Sequence, residues 1–384
     1  MRFEFASAER IIFGKGTIRE VGSLAADMGR RAIIVTGRSS ERAEPVIGQL
    51  HKEGIKHVTF NVKGEPTTTI AKAAVEAARR GRCDLVISIG GGSAIDTGKT
   101  TAAMLTNRGE LEDYLEVVGR GQALTERAAP HIAIPTTAGT GAEVTHNAVL
   151  EAVEHKRKVS MRNRLMLPRA AVVDPELTYS MPPALTASTG LDALTQLTEA
   201  YVCIKANPLT DGICREGLRR AGRSLRKVYE DGSDEAARED MATASLFSGL
   251  ALANAGLGAV HGFAGPLGGM IHAAHGMICA RLLPYVMGVN VRALRERAED
   301  SAAMARYDEI GQLLTGSDTA RAAEGVAWVE ELCEALEVPS LGKLGLKEEE
   351  VATAAASSRK SGSMKGNPIA LTDDELTEVL QKSL

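Results

Sequence analysis

Short β-branched runs alternate with amphipathic stretches through the first half of the chain. Apolar runs with few polar interruptions predict buried strands, and apolar residues at every third or fourth position predict helices. The predicted strands are 31–36, 57–62, 84–89 and 131–134, and the predicted helices are 41–53, 70–80 and 94–105. Because this alternation with short connections is typical of a mostly parallel sheet covered by helices, we expect an α/β domain.

The pattern changes after Asp174-Pro175. Before that point, short runs at 147–150, 158–161 and 170–173 predict a β-ribbon. Beyond it the chain is mostly helical, with helices predicted at 211–229, 236–255, 302–314, 319–336, 347–355 and 373–381. Since 384 residues exceed what one core usually serves, we expect an α/β domain at 1–179 and an all-helical domain at 180–384.

Composition and charge exclude several classes of protein. The net charge of −4 offers no basic surface for nucleic acid or an anionic membrane. The sequence shows no long uncharged apolar run and no secretory signal pattern, so we expect a cytoplasmic protein without a membrane partner. The five cysteines are scattered and form no CxxC pair, which predicts buried free thiols and neither disulfides nor a thiolate metal site.

Two glycine-rich loops indicate a nucleotide site. The strand at 84–89 runs directly into Gly90-Gly91-Gly92-Ser93, and a predicted helix follows. Glycines let the backbone approach a phosphate, and the free N–H groups of a helix start favour its negative charge. The spacing is not the GxGxxG fingerprint, so a standard Rossmann domain is not expected.

The second loop, IPTTAGTGAEVTHN, also follows a predicted strand. Its hydroxyl groups, on Thr136, Thr137, Thr140 and Thr145, suit a ribose or a nicotinamide amide. Together with the glycine loop on a neighbouring strand end, this loop predicts a dinucleotide lying across the edge of the sheet.

Polar residues in the second half suggest a metal site. Asp192 and Gln196 are four residues apart and would share one helix face, while His261 and His275 each sit beside a glycine in an apolar setting. A carboxylate and two imidazoles that converge would bind a divalent metal. The spacing alone favours a more ordinary interpretation, in which Asp192 caps a helix and the histidines are core residues.

Several motifs, in order over nearly the whole chain, resemble the iron-containing (group III) alcohol dehydrogenases. They are GGGSAIDTGK, PTTAGTGAEVT, DPELT, GLDALTQLTEAY, GLGAVHGFAGPLGG, AAHG and MKGNPIALTDDEL. The resemblance implies a dehydroquinate synthase-like architecture, in which an α/β domain binds NAD(P), a helical domain holds one divalent metal, Fe or Zn, and the active site is the cleft between them. It also implies an alcohol dehydrogenase or aldehyde reductase that transfers hydride, acting as a homodimer or larger oligomer.

The resemblance assigns metal ligands with one departure. Asp192, His261 and His275 match three family ligands, but Gln196 replaces the fourth, a histidine. Gln196 has three interpretations: a weak ligand through its carbonyl oxygen, a group that contacts the ligands or the substrate beside a three-ligand metal, or the mark of a lost metal. The last would correspond to a metal-free reductase of an activated keto-acid, similar to the maleylacetate reductases. A lyase or a nucleotide-binding pseudoenzyme fits the motifs less well.

Other candidate residues follow from the same resemblance. Many members carry a histidine where this chain has Gly265, and His272 is a candidate proton relay in its place, or an ordinary exposed histidine. Asn147 and Leu252 match positions that line the substrate pocket.

The coenzyme preference rests on the stretch after the first predicted strand. NAD-preferring members often carry an aspartate where this chain has Gly37, and an acid there would repel a 2′-phosphate. Gly37 followed by Arg38, Ser39 and Ser40 would accept that phosphate, so we expect NADP(H) to be preferred over NAD(H). The other predicted coenzyme contacts are Gly91, Gly92, Ser93, Asp96, Thr136, Thr137, Thr140, Thr145, Lys158 and Leu177.

Overall fold

The computed structural model describes residues 2–155, 157–271 and 273–384, which divide into two compact units. The α/β unit comprises Ala6–Thr137 and Gly141–Thr178. The helical unit comprises Tyr179–Leu384, the segment Ala138–Thr140 and the N-terminal residues up to Phe5.

The α/β unit is built on a six-stranded parallel sheet with the strand order β1-β8-β5-β4-β2-β3. The strands of the protein are β1 (Arg10–Phe13), β2 (Arg31–Thr36), β3 (Lys56–Asn61), β4 (Leu85–Gly90), β5 (His131–Pro135), β6 (Asn147–Ala152), β7 (Arg157–Arg162) and β8 (Ala170–Val173). The expected parallel sheet is therefore confirmed. Every residue of β4 and β5 is buried, as expected where helices cover both faces.

Helices cover both faces of this sheet. They are α1 (Val21–Ala26), α2 (Glu44–Lys52), α3 (Thr68–Arg80), α4 (Gly92–Thr106) and the short α5 (Leu111–Tyr114). On β2, Ile34 packs with residues of α1 and α2, whereas its neighbours Ile33 and Val35 pack with residues of α3 and α4. The alternation follows from the two-residue period of a strand.

The helical connections that follow β2 and β4 run towards opposite edges of the sheet. Helix α2 leads from β2 to β3 at one edge, and α4 leads from β4 towards β5 on the other side. Open α/β sheets bind ligands at such a switch point, outside the carboxyl ends of the strands. The residues that follow β2 and β4 therefore occupy the position where this architecture favours a ligand.

The β-ribbon was predicted correctly only in part. β6 and β7 pair antiparallel as a two-stranded ribbon, but β8 joins the main sheet between β1 and β5. The run Ala170–Val173 is buried throughout, which suits a covered parallel strand better than a ribbon. β1 was not predicted, because a four-residue edge strand carries little pattern.

The helical unit has one continuous core. Its helices are α6 (Pro183–Val202), α7 (Pro208–Glu230), α8 (Glu235–Ala255), α9 (Ala259–Met270), α10 (His275–Arg297), α11 (Ala302–Thr315), α12 (Ala322–Ala335), α13 (Val351–Arg359) and α14 (Asp373–Ser383). α10 packs against α6, α9, α12 and α14. α10 is long and apolar enough to span a membrane, but 72% of its apolar window is buried inside the protein, as in the core helix of a globular unit.

Candidate metal and nucleotide sites

Helix α6 carries three polar residues on one face inside the helical core. Asp192, Gln196 and Glu199 follow the i, i+4, i+7 spacing and are 3%, 3% and 4% exposed. A buried carboxylate is costly unless a partner compensates its charge. The partners of these three residues therefore define what this face of α6 does.

Four potential ligand atoms converge beside this face. Asp192 Oδ1 lies 3.6 Å from His261 Nε2 and 4.0 Å from His275 Nε2, and Cys279 Sγ lies 3.8 Å and 3.6 Å from the same two nitrogens. All four atoms lie within 4.8 Å of one another. Among the residues that the structure describes, buried Asp192 Oδ1 has no hydrogen-bond partner. An unpartnered carboxylate oxygen facing two imidazoles fits a divalent cation.

Glu199 fixes the orientation of His261. Its Oε2 lies 2.6 Å from His261 Nδ1, and because a carboxylate only accepts, Nδ1 carries the proton and donates it. Glu199 Oε1 accepts a hydrogen bond from the Val260 N–H at the start of α9, 2.6 Å away. Nε2 of His261 is thereby left free to face Asp192, the arrangement in which a carboxylate orients a metal-binding histidine. The sequence analysis missed Glu199, although its spacing from Asp192 along a helix was visible.

Gln196 orients Asp192 in this structure. Its amide nitrogen donates to Asp192 Oδ2 over 3.0 Å, and its amide oxygen accepts from Ser248 Oγ over 2.9 Å. A carboxylate can only accept, so the amide nitrogen must be the atom that faces it. The carbonyl oxygen is thus already engaged by Ser248. Of the three interpretations of Gln196, this geometry supports a residue that positions a ligand.

The neighbouring side chains in the cluster shift the pKa values of Asp192 and His261. Burial raises the pKa of Asp192, but the neighbouring imidazole of His261 and the charges of His275 and His261 outweigh burial and hold that pKa below its usual value. Burial lowers the pKa of His261, but the Cys279, Glu199 and Asp192 side chains raise it well above its ordinary range. The negative charge of Asp192 and the positive charge that these contacts favour on His261 therefore compensate one another inside the buried cluster.

A glycine allows α10 to bring its residues to this cluster. A Cβ on Gly276 would lie only 2.1 Å from the carbonyl oxygen of Ser188, so the first turn of α10 packs directly on the backbone of α6. His275 and Cys279 are one turn apart on α10 and share a face. The side chain of His275 is 34% exposed, so the cluster is accessible on that side. His272, the predicted proton relay, lies outside the described residues.

In the α/β unit, the glycine loop forms the start of α4. Gly91 is the N-cap, and Gly92 and Ser93 are the first two helical residues; within the described ranges no side chain caps this end. A Cβ on Gly98 would meet the Cβ of Ser88 at 2.8 Å, so α4 packs closely on β4. The helix start therefore presents uncapped N–H groups at the end of β4, as phosphate binding requires.

The predicted second loop begins beside the first. The N–H of Thr136 donates to the carbonyl of Gly90 over 2.9 Å, and the Thr137 methyl lies 3.3 Å from the position of a Cβ on Gly91. A Cβ on Gly90 would lie 3.2 Å from the backbone nitrogen of Gly37. The ends of β2, β4 and β5 therefore bring three predicted coenzyme segments together.

The residues after β2 leave open space at Gly37, the position that the sequence analysis links to the 2′-phosphate of the coenzyme. No atom lies within 4 Å of a Cβ built on Gly37 among the described residues, and Arg38, Ser39 and Ser40 are exposed. The Asn61 side chain donates to the carbonyl of Gly37 and so fixes the chain at the end of β2.

A buried lysine connects α4 with the ribbon. Lys99 is 0% exposed, its Nζ donates to Thr145 Oγ1 over 2.8 Å and to the carbonyl of Asn147, and it lies 3.0 Å from Asp96 Oδ1. Asp96 Oδ2 accepts from the N–H of Val149 over 3.0 Å. Asp96, Thr145 and Asn147 thus make internal contacts beneath the loops, and the sequence analysis missed Lys99, which holds them.

The remaining predicted residues are distributed over both units. In the α/β unit, Lys158 lies on β7 and forms an ion pair with Glu65 at 3.0 Å, and Leu177 lies in a 3₁₀ turn packed against the core. In the helical unit, Thr140 belongs to the short segment 138–140 and Leu252 is half-buried on α8. Their predicted contacts with coenzyme and substrate stay predictions.

Two family models match successive parts of the chain. Residues 8–175 match the iron-containing alcohol dehydrogenase model, and residues 186–384 match the C-terminal model of the Fe-containing alcohol dehydrogenase family. The chain is 35% identical over 393 residues to the 1,3-propanediol dehydrogenase of Klebsiella pneumoniae, covering 99% of this chain and 98% of that protein. It is 45% identical over 258 residues to long-chain-alcohol dehydrogenase 1 of Geobacillus thermodenitrificans, covering 67% of this chain and 65% of that protein.

Solved structures agree with the sequence comparisons. The crystal structure of a 1,3-propanediol oxidoreductase superposes with a TM-score of 0.91 at 32% identity, covering 100% of both chains. The fold and the motifs thus define an oxidoreductase that acts on CH–OH groups, with an alcohol or an aldehyde as substrate. The chain belongs to the iron-containing alcohol dehydrogenase family.

Proposed function

We propose that this protein is a metal-assisted alcohol dehydrogenase or aldehyde reductase that uses a nicotinamide dinucleotide. The observation that carries the proposal is the buried, unpartnered Oδ1 of Asp192, which faces the Nε2 atoms of His261 and His275. Three protein ligands with an accessible side suffice for a catalytic metal.

Asp192, His261 and His275 would hold the metal. A divalent ion bound there supplies a Lewis acid for the substrate oxygen. Glu199 keeps the proton of His261 on Nδ1, and Gln196 holds the second oxygen of Asp192. Both contacts fix the ligand atoms in place, so that little reorganisation is needed on binding.

The loops of the α/β unit would bind the coenzyme. A bound nicotinamide supplies or accepts the hydride. The N–H groups at Gly92 and Ser93 would bind the pyrophosphate, and the hydroxyls of Thr136 and Thr137 lie at the adjoining strand end. Lys99 supports this arrangement from beneath through Thr145.

NADP(H) rather than NAD(H) is the proposed preference. The open space at Gly37 leaves room for a 2′-phosphate, and the exposed guanidinium of Arg38 would pair with it. We further propose a cytoplasmic homodimer or larger homo-oligomer that acts on a small alcohol or aldehyde.

Metal content and activity test the proposal together. Protein purified without chelator should contain about one Fe or Zn per chain by elemental analysis. Aldehyde reduction, assayed with NADPH and with NADH, should disappear after metal stripping and return when metal is added back. Full activity in protein without metal would contradict the proposal and would favour the metal-free reductase of an activated keto-acid.

A further inference from the structure

The thiol of Cys279 lies inside the ligand cluster and differs from the other buried thiols of the unit. Cys203 and Cys333 each donate to a backbone carbonyl, of Ala255 and Ala280 respectively, as buried cysteines commonly do. Cys279 Sγ is fully buried between two imidazole nitrogens instead. The expectation that no cysteine would meet a metal site stays a prediction, but Cys279 lies among the candidate ligand atoms.

The dimensions of the cluster are close to those of a metal coordination shell. Bonds of about 2.0–2.1 Å to nitrogen or oxygen and about 2.3 Å to sulfur give tetrahedral edges of about 3.3–3.6 Å. The edges from the histidines to Cys279 are 3.8 and 3.6 Å, and those to Asp192 are 3.6 and 4.0 Å. Small inward shifts would bring all four atoms within bonding distance of one ion, and the exposed side of His275 leaves room for a substrate oxygen as a fifth ligand.

The substitution at Gln196 leaves a ligand position to fill. Helix α6 now supplies one ligand, Asp192, because the amide nitrogen of Gln196 faces that carboxylate and its oxygen is bound by Ser248. Helix α10 supplies His275 and, one turn later, Cys279. The thiol of Cys279 on α10 is therefore a candidate for the ligand position that Gln196 on α6 does not fill.

We propose that Cys279 binds the metal as a thiolate and is the fourth protein ligand, in place of Gln196. The inference rests on the proposed metal-dependent function. The ligand set becomes one carboxylate, two imidazoles and one thiolate, which adds a negative charge and a soft donor to the shell. A soft thiolate favours zinc over ferrous iron, so zinc should be retained more tightly than iron in this chain.

Cobalt substitution tests the proposal by a spectrum that does not depend on turnover. Stripped protein is loaded with Co²⁺, its content is measured by elemental analysis, and the near-ultraviolet absorption is recorded. A thiolate bound to cobalt gives a charge-transfer band, and carboxylate or imidazole ligands do not. The wild-type protein should show this band with about one cobalt per chain.

Two variants locate the thiolate. Cys279→Ala should lose the band and bind metal at least about 100-fold more weakly, since even residues that only support a ligand contribute 10- to 100-fold. Cys214→Ala, which removes another fully buried thiol from the same unit, should keep both band and affinity. The double variant Gln196→His/Cys279→Ala should regain affinity without the band.

The outcomes separate the two proposals. Bound cobalt without a charge-transfer band, or a band that survives Cys279→Ala, would overturn the role of Cys279 and leave the metal site standing. Failure of the wild-type protein to bind cobalt, zinc or iron would overturn both. Because a wild-type protein that binds cobalt without the band overturns the role of Cys279 by itself, the proposal stays falsifiable even if a variant folds poorly.

Discussion

The nucleotide site and the metal cluster are built in opposite ways. The glycine loop is one contiguous strand end and helix start, and its proposed binding groups are backbone N–H groups. The metal cluster collects side chains from three helices, with Asp192 from α6, His261 from α9, and His275 and Cys279 from α10. A local site depends on the conformation of one segment, whereas a convergent site depends on the packing of the whole unit.

This difference decides what substitutions each site tolerates. In the loop, an added side chain would clash, because a Cβ on Gly90 would lie only 2.7 Å from the Cβ of Ala94. In the cluster, only the position of the ligand atom in space matters, so a ligand can move from one helix to another. The pair Gln196 and Cys279 is consistent with such a move from α6 to α10.

Removal of Asp192 should have the largest effect on activity. It should impair the metal cluster and leave the nucleotide site intact. Asp192→Ala deletes the one carboxylate of the cluster, and loss of several kcal/mol of charge stabilisation should lower kcat at least about a thousandfold. Coenzyme binding, measured by NADPH fluorescence, should change little because the glycine loop lies in the other unit.

The exposed Asp318 provides a control for this variant. Asp318→Ala removes the same charge from the helical unit and should leave kcat unchanged. Substantial turnover by Asp192→Ala, with metal content also unchanged, would contradict a catalytic metal at this cluster.

Lys99→Met should have the next largest effect, on stability rather than on chemistry. The substitution keeps a long apolar side chain but leaves Asp96 without its buried cation, so the free energy of unfolding should fall by about 3 kcal/mol. The urea midpoint and amide exchange at Val149, whose N–H Asp96 accepts, report the change.

Lys72→Met is the matched control in the same unit. Lys72 forms an exposed ion pair with Glu112, and such pairs contribute about 0–1 kcal/mol. Equal effects of the two substitutions would show that the buried lysine does not support the loops.

The same contrast explains which parts of the fold were predictable from sequence. Buried parallel strands appear as runs of Val and Ile, so the predicted strand at 31–36 coincides with β2. Helices α9 and α10 were missed because glycines and the internal Pro266 and Pro284 lower their helix propensity. Their burial in the helical core outweighs that propensity.

Because α10 was not predicted to be a helix, Cys279 was not recognised as a member of the metal cluster. Once α10 is known to be helical, the spacing of His275 and Cys279 places both on one face. From sequence, the absence of a CxxC pair argued against a thiolate site, because that argument considers only nearby cysteines. Long-range convergence with His261 on α9 could not be deduced from spacing.

Glu199→Gln should weaken the cluster without removing a ligand. His261 Nδ1 and Val260 N–H face different oxygens of Glu199, and glutamine replaces one of these oxygens by an NH₂ group that cannot accept. Metal affinity, measured by competition with a chromophoric chelator, should fall about 10- to 100-fold. Glu378→Gln, which breaks an ion pair with Arg292 of α10, is the control; a comparable loss there would indicate general loosening of the unit.

The smallest expected effect concerns coenzyme choice. It tests the nucleotide site and leaves the metal cluster unchanged. Arg38 is exposed, so its pairing with a 2′-phosphate is worth about one hydrogen bond to a charged group. Arg38→Ala should raise KM for NADPH about tenfold and leave KM for NADH unchanged. Arg80→Ala removes the same charge from an exposed site on α3 and should change neither constant.

Gly37→Asp provides the reciprocal change, because a carboxylate there would repel the phosphate and accept the ribose hydroxyls of NADH. It should therefore lower the NADPH-to-NADH ratio of kcat/KM further than Arg38→Ala does. A wild-type preference for NADH would contradict the expectation drawn from Gly37 and Arg38. It would also show that an open space after β2 does not by itself select the phosphorylated coenzyme.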